Sequence, residues 1–193
     1  MILRKFISAI GAAILFFISI AACVNHPSME KIDNFTLIDY NGKKHSLSDY
    51  KDSKAIVIIF VATECPVSNA YNSRMENLYK EYSPKNIEFL GINSNKAETV
   101  EMMKEHAVEN DLTFTILKDA NNIVADEFDA SVTPEVYVLD DDYNVLYHGR
   151  IDNSKNEAEV TSKDLENVLN EILAGKEVTT KATKAFGCSI KRV

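Results

Sequence analysis

The sequence has six glycines in 193 residues, and none belongs to a phosphate-cradling loop, so nucleotide chemistry of that kind finds no support. Basic residues are also in short supply. The 21 Lys and Arg stand against 29 Asp and Glu, which leaves no basic excess for nucleic acid and no reason to expect it as a partner. Internal repeats and low-complexity tracts are missing. The four histidines, His26, His45, His106 and His148, are scattered without metal-ligand spacing, and neither a metal nor a cofactor is called for. Asp140-Asp141-Asp142 reads as a solvated turn, and Met102 and Met103 as packing or outward-pointing residues. Cysteine is scarce as well, with only Cys23, Cys65 and Cys188. The supply of apolar side chains is ample: 46% of the chain, against 26% charged, suits one globular domain behind a leader.

The first 22 residues have the layout of a signal peptide. Arg4 and Lys5 precede an uncharged run from Phe6 to Ala22. Ile20-Ala21-Ala22-Cys23 resembles a bacterial lipobox, in which the leader is cut before the cysteine and its sulfur is lipidated. The alternative is a signal-anchor helix with an idle Cys23. Either way the rest of the chain is expected in the cell envelope, membrane-anchored and facing the periplasm or the outer surface. Loss of residues 1–22 leaves 19 basic against 29 acidic residues, a net charge of −10 that favours solubility. It also leaves Cys65 and Cys188 as an even pair where disulfides persist, so a structural bridge and a reactive pair both stay open.

Residues 23–34 are polar and aperiodic, hold Pro27, and read as a tether. A hairpin is expected over Phe35 to Leu47 with Asn41-Gly42 at its turn. Ala55 to Ala62 is an unbroken apolar, β-branched run, the pattern of a strand covered on both faces. A helix should run from Pro66 to about Tyr82, stopped by Ser83-Pro84, and a second strand covers Ile87 to Ile92. Asn95 and Glu98 have capping-box spacing before a helix carrying Val100, Met103 and Ala107. A strand at 114–117, a short helix at 122–128, a hairpin of 136–139 with 145–148, and an amphipathic helix ending at Gly175 complete the domain, 35–175. The tail, 176–193, has no strong signal except Cys188. Strands alternating with helices imply an α/β sheet, to which the late hairpin adds antiparallel strands.

Cys65-Pro66-Val67-Ser68 falls where the first buried strand gives way to a helix. Pro66 suits the first helical position, which places Cys65 at the cap. There its sulfur faces unpaired N–H groups and the positive dipole end, conditions that favour the thiolate and make it a nucleophile. Glu64 opposes this effect.

Val132-Thr133-Pro134 precedes a later strand, and with the Cys-Pro site it resembles the thioredoxin-like superfamily in its redoxin branch, the alkyl hydroperoxide reductase / thiol-specific antioxidant family. Ile92-Asn93-Ser94-Asn95, Thr133-Pro134-Glu135, Tyr147-His148-Gly149-Arg150-Ile151-Asp152 and Gly187-Cys188-Ser189-Ile190-Lys191 resemble a bacterial subgroup with a C-terminal Gly-Cys. The resemblance implies a thioredoxin-like α/β fold, a central mixed sheet flanked by helices with an N-terminal hairpin and a C-terminal tail. It also implies a cis-proline at Pro134 beside Cys65.

Two departures bear on activity. Thioredoxins carry a second cysteine where this chain has Ser68, and peroxiredoxins carry threonine and proline where it has Ala62 and Ile58, with Thr63 one place off. Arg74 or Arg150 could supply the positive charge that a peroxide site uses, but both are expected on the solvated surface. The leading expectation is thiol–disulfide exchange with a protein partner or reductant, Cys65 attacking and Cys188 resolving, with Thr133, Pro134, Pro66 and Ser68 shaping the site. The alternatives are a thiol peroxidase using the same cysteines, and a lipid-anchored binding module with a structural Cys65–Cys188 bridge.

Overall fold

A computed structural model describes residues 31–193. The leader, Cys23 and His26 lie outside the described residues. Among the described residues no helix is long and apolar enough to cross a membrane.

The apolar run predicted as a buried strand forms β3 (Ala55–Phe60), every residue of which is buried. Its neighbours explain why. β4 (Ile87–Asn93) pairs with it in parallel and β7 (Glu135–Leu139) antiparallel, so β3 sits inside a seven-stranded mixed sheet. β5 (Thr115–Lys118) extends the sheet beyond β4, followed by the hairpin β1 (Thr36–Asp39) and β2 (Lys44–Ser46); β8 (Val145–Gly149) closes the other edge. Alternate side chains divide into two cores. Val57 and Ile59 pack with Met75, Met103, Leu165 and Leu169 from α2 (Asn72–Tyr82), α3 (Val100–Glu109) and α5 (Asp164–Leu173). Ile56, Ile58 and Phe60 point the other way, to Val124 of α4 (Ile123–Glu127), Phe128 and Tyr137. This is the thioredoxin-like arrangement of a mixed sheet between helices.

Four local expectations need correction. The helix predicted from Pro66 is broken: α1 (Pro66–Asn69) tightens at Ala70, where the Tyr71 N–H bonds the Ser68 carbonyl three residues back at 2.9 Å. The turn lets Tyr71, 1% exposed, send its hydroxyl to Asp152 at 3.0 Å. Arg74 is not on the solvated surface. It stacks on the Tyr71 ring and is fixed by Asp152 at 2.5 Å and by the carbonyls of Ala70, Ser154 and Lys155. Asn95 and Glu98 form no capping box, because α3 starts later and is capped by Thr99. The end of the expected tether belongs to the domain: Ile32 is buried and its N–H bonds the Tyr143 carbonyl at 3.0 Å.

The tail is ordered against the domain. After α5 it runs beside β8, exchanging backbone bonds between His148 and both Lys181 and Thr183. It then forms β9 (Cys188–Ser189), antiparallel to β6 (Val132–Thr133), with Cys188 opposite Thr133.

Candidate active site

Four backbone N–H groups separate the end of β3 from Cys65, and each has an acceptor. Val61 bonds the Ile92 carbonyl at 2.9 Å, Ala62 the Ser68 hydroxyl at 3.2 Å, and Thr63 and Glu64 the Glu98 carboxylate at 2.7 and 3.3 Å. The loop therefore delivers Cys65 to the α1 cap in a fixed pose. There the sulfur accepts the Ser68 N–H at 3.3 Å and lies 3.3 Å from the Thr133 carbonyl oxygen. The Thr133–Pro134 peptide is cis, and its Thr133 carbonyl is the group beside the sulfur. Pro66 occupies the first helical position at the surface.

Cys188 comes to the same place on β9. Both cysteines are free thiols. Burial pushes the Cys65 thiol up, but contacts from the Cys188 thiol, the Ser68 N–H, Thr133 and the Cys188 N–H outweigh it and hold the group below its ordinary value. The Cys188 thiol is pushed up by its contact with Cys65, by burial, and by repulsion from a Cys65 thiolate. The two shifts run in opposite directions and favour ionisation of Cys65 over Cys188. Cys65 is 4% exposed; Cys188 is the more accessible of the two.

Sequence reasoning brought Cys65, Cys188, Thr133, Pro134, Pro66 and Ser68 to this site, and the fold gathers all six. Ser68, fully buried, spends its hydroxyl on the Ala62 N–H, a bond that the sequence did not announce. Glu135 carries no sequence signal of its own. Its carboxylate accepts the N–H groups of Ser131 and Val132 at 2.7 and 3.1 Å and the His148 Nε2 at 2.6 Å, fixing the turn before β6. Burial raises the Glu135 carboxyl, but these bonds win and hold it below its usual value. Arg150 pairs with Asp164 at 2.7 Å. The described histidines are dispersed, His45 on Asp39 and Tyr50, His106 on Asn72, and His148 on Glu135.

The AhpC/TSA family model matches residues 29–148, a stretch that includes Cys65, Thr133 and Pro134. The chain belongs to that family. It is similar to the thioredoxin-like protein YneN of Bacillus subtilis, 34% identical over 113 residues, which are 58% of this chain and 65% of that protein. It is also similar to the thiol-disulfide oxidoreductase ResA of Bacillus subtilis, 29% identical over 115 residues, 58% of this chain and 62% of that one. The matched region therefore spans less than two thirds of either relative. Among solved structures, an uncharacterised conserved protein of Geobacillus kaustophilus superposes with a TM-score of 0.79 at 34% identity, covering 84% of this chain and 90% of its own.

Proposed function

We propose that this AhpC/TSA-family chain is a thiol–disulfide oxidoreductase of the cell envelope, with Cys65 as nucleophile and Cys188 as resolving cysteine. The observation that carries the reading is the placing of Cys188 opposite Thr133, whose carbonyl oxygen lies 3.3 Å from the Cys65 sulfur that accepts the Ser68 N–H. The Cys65 thiolate attacks one sulfur of a substrate disulfide, forming a mixed disulfide and releasing the first substrate thiolate. Cys188 then loses its proton to that or another base, attacks the Cys65 sulfur, and releases the second thiolate. The substrate gains two electrons and the enzyme holds a Cys65–Cys188 disulfide, which an external dithiol must reduce. Similarity to a protein named thiol-disulfide oxidoreductase supports exchange. Ala62 and Ile58, where peroxiredoxins carry threonine and proline, count against a peroxidase pocket.

The test is to offer the reduced protein a model disulfide or hydrogen peroxide and map the products. The expected result is rapid Cys65–Cys188 closure with the model disulfide, and with Cys188→Ser a mixed disulfide trapped on Cys65. Faster closure with peroxide and a Cys65 sulfenic acid in Cys188→Ser would assign a peroxidase. A bridge that resists reduction, with a potential below about −300 mV, would assign a structural staple. The anchor rests on Ile20-Ala21-Ala22-Cys23, and the mature chain is expected to begin at a lipidated Cys23. Intact mass of the membrane-fraction protein checks this; a chain still starting at Met1 rejects it.

A further inference from the structure

We infer that Glu98, Asn93, Asn95 and Lys118 form one positioning network that sets the encounter of Cys65 with Cys188, an inference that rests on the exchange reading above. The two cysteines lie far apart in the chain, and the strand pairing that docks the Cys188 segment, β9 on β6, is only two residues long. A buried polar chain joins them. At one end the Glu98 carboxylate, 4% exposed, takes the N–H groups of Thr63 and Glu64, the last two donors before Cys65. The same carboxylate accepts the Asn93 side-chain amide at 2.5 Å. The Asn93 Oδ1 accepts the Lys118 ammonium at 3.0 Å and the Asn95 N–H at 3.3 Å. Lys118 also donates to the Asn95 carbonyl at 2.7 Å. At the far end the Asn95 Oδ1 accepts the Lys191 N–H at 2.8 Å, and the Lys191 carbonyl accepts the Lys96 N–H at 2.8 Å. Lys191 is three residues beyond Cys188.

Glu98, Asn93 and Asn95 are all buried, which polar side chains tolerate when their hydrogen bonds are made. A carboxylate near a reacting thiolate opposes its ionisation, so Glu98 is poorly explained as an electrostatic aid. It is well explained as an acceptor for two N–H groups that no strand or helix satisfies, with the Lys118 charge nearby to make its burial tolerable. Asn93-Ser94-Asn95 belongs to the same unit. A parallel arm runs from the Ser94 carbonyl to the Asn122 amide, and from the Asn122 Oδ1 to the Val193 N–H at 2.9 Å. The effect on chemistry is proximity. Closure of the Cys65–Cys188 disulfide is intramolecular, and its rate follows how often the tail and the cap loop are in register.

The experiment compares two rates in the full chain, first reacting reduced protein with a coloured aromatic disulfide. The bimolecular step is attack by Cys65, and the unimolecular step is release of the second aromatic thiol as Cys188 closes on Cys65. Asn95→Ala is expected to slow closure about three- to tenfold, the worth of one hydrogen bond, while the bimolecular rate and its pH midpoint stay at wild-type values. Glu98→Gln, which loses the acceptor for one N–H and the charge, is expected to slow closure similarly. The double variant should fall short of the product of the two effects, because the links are in series. Wild-type closure rates in both variants, with only the melting temperature lowered, would overturn the network and leave the exchange reading intact. Absence of closure in the wild type itself would remove the exchange reading and this inference with it.

Discussion

A methyl group at Gly187 would stand 2.0 Å from the Thr133 carbonyl oxygen and 2.7 Å from its carbon, because the tail crosses the wall of the site backbone to backbone. That approach brings Cys188, the next residue, opposite Thr133, whose carbonyl oxygen lies 3.3 Å from the Cys65 sulfur. Gly187→Ala is therefore expected to lift β9 from β6 at a cost of about 1–3 kcal/mol in tail docking. Disulfide closure should slow at least severalfold, while a small alkylating reagent should reach the uncovered Cys65 faster. Stopped-flow closure and alkylation rates on the same variant check both. Slower alkylation together with normal closure would mean that the tail does not cover the cysteine.

Ser68 stands where a local second cysteine would be, and its hydroxyl is the acceptor for the buried Ala62 N–H. Ser68→Ala leaves that donor without a partner and should cost about 1–3 kcal/mol. Chemical denaturation of the reduced protein measures it. A loss below about 0.5 kcal/mol would show that the Ala62 N–H finds another acceptor.

How much of this was legible in the chain depended on range. Cys65 at a helix cap was readable because Pro66 and the preceding β-branched run are local signals, and the buried strand, the two hairpins and the last amphipathic helix were readable from the same kind of pattern. The meeting of Cys65 with Cys188 was suggested by a count of cysteines and a family resemblance, since no spacing rule reaches across the sheet. Glu98 was missed because its separation from Asn95 also fits a capping box; only the fold shows its carboxylate turned to Thr63 and Glu64. Tyr71 broke an expected helix because a tertiary bond to Asp152 outweighed a continuous helical pattern. Charged residues default to the surface, and Arg74 violated that default because Asp152 and three carbonyls receive it inside.

Arg74 and Asp152 have side chains 9% and 6% exposed, so removing one partner strands the other's charge. Arg74→Met is expected to destabilise the protein by about 3–5 kcal/mol. The Cys65 alkylation rate against pH should keep its midpoint in the folded variant, since the guanidinium is committed to Asp152, Ala70, Ser154 and Lys155. Urea denaturation gives the first quantity and the alkylation profile the second. A clear upward move of the midpoint would instead make Arg74 part of the Cys65 environment.

Burial acts to raise the Cys65 thiol, and the lowering that outweighs it includes a contribution from the Cys188 thiol. Cys188→Ala removes it and keeps the backbone N–H, so the pH midpoint of Cys65 alkylation should rise toward the ordinary thiol value. The same pair gives reduced wild type a distinctive dependence of stability on pH. Cys65 is lowered by folding, so its contribution grows as pH rises from its folded value to the unfolded thiol value, about 8.5, and is lost as pH falls back. Cys188 is raised by folding, so its contribution is complete below the unfolded value and is lost as pH climbs through its folded value. The two contributions together peak near the unfolded thiol value. Urea denaturation of reduced wild type from pH 6 to 10, measured against a Cys65→Ser, Cys188→Ser double variant, should show that maximum. In Cys188→Ala only the rising limb should remain, over a narrower range. A difference that stays flat across this range would mean that the two thiols titrate in the folded protein as they do in the unfolded chain.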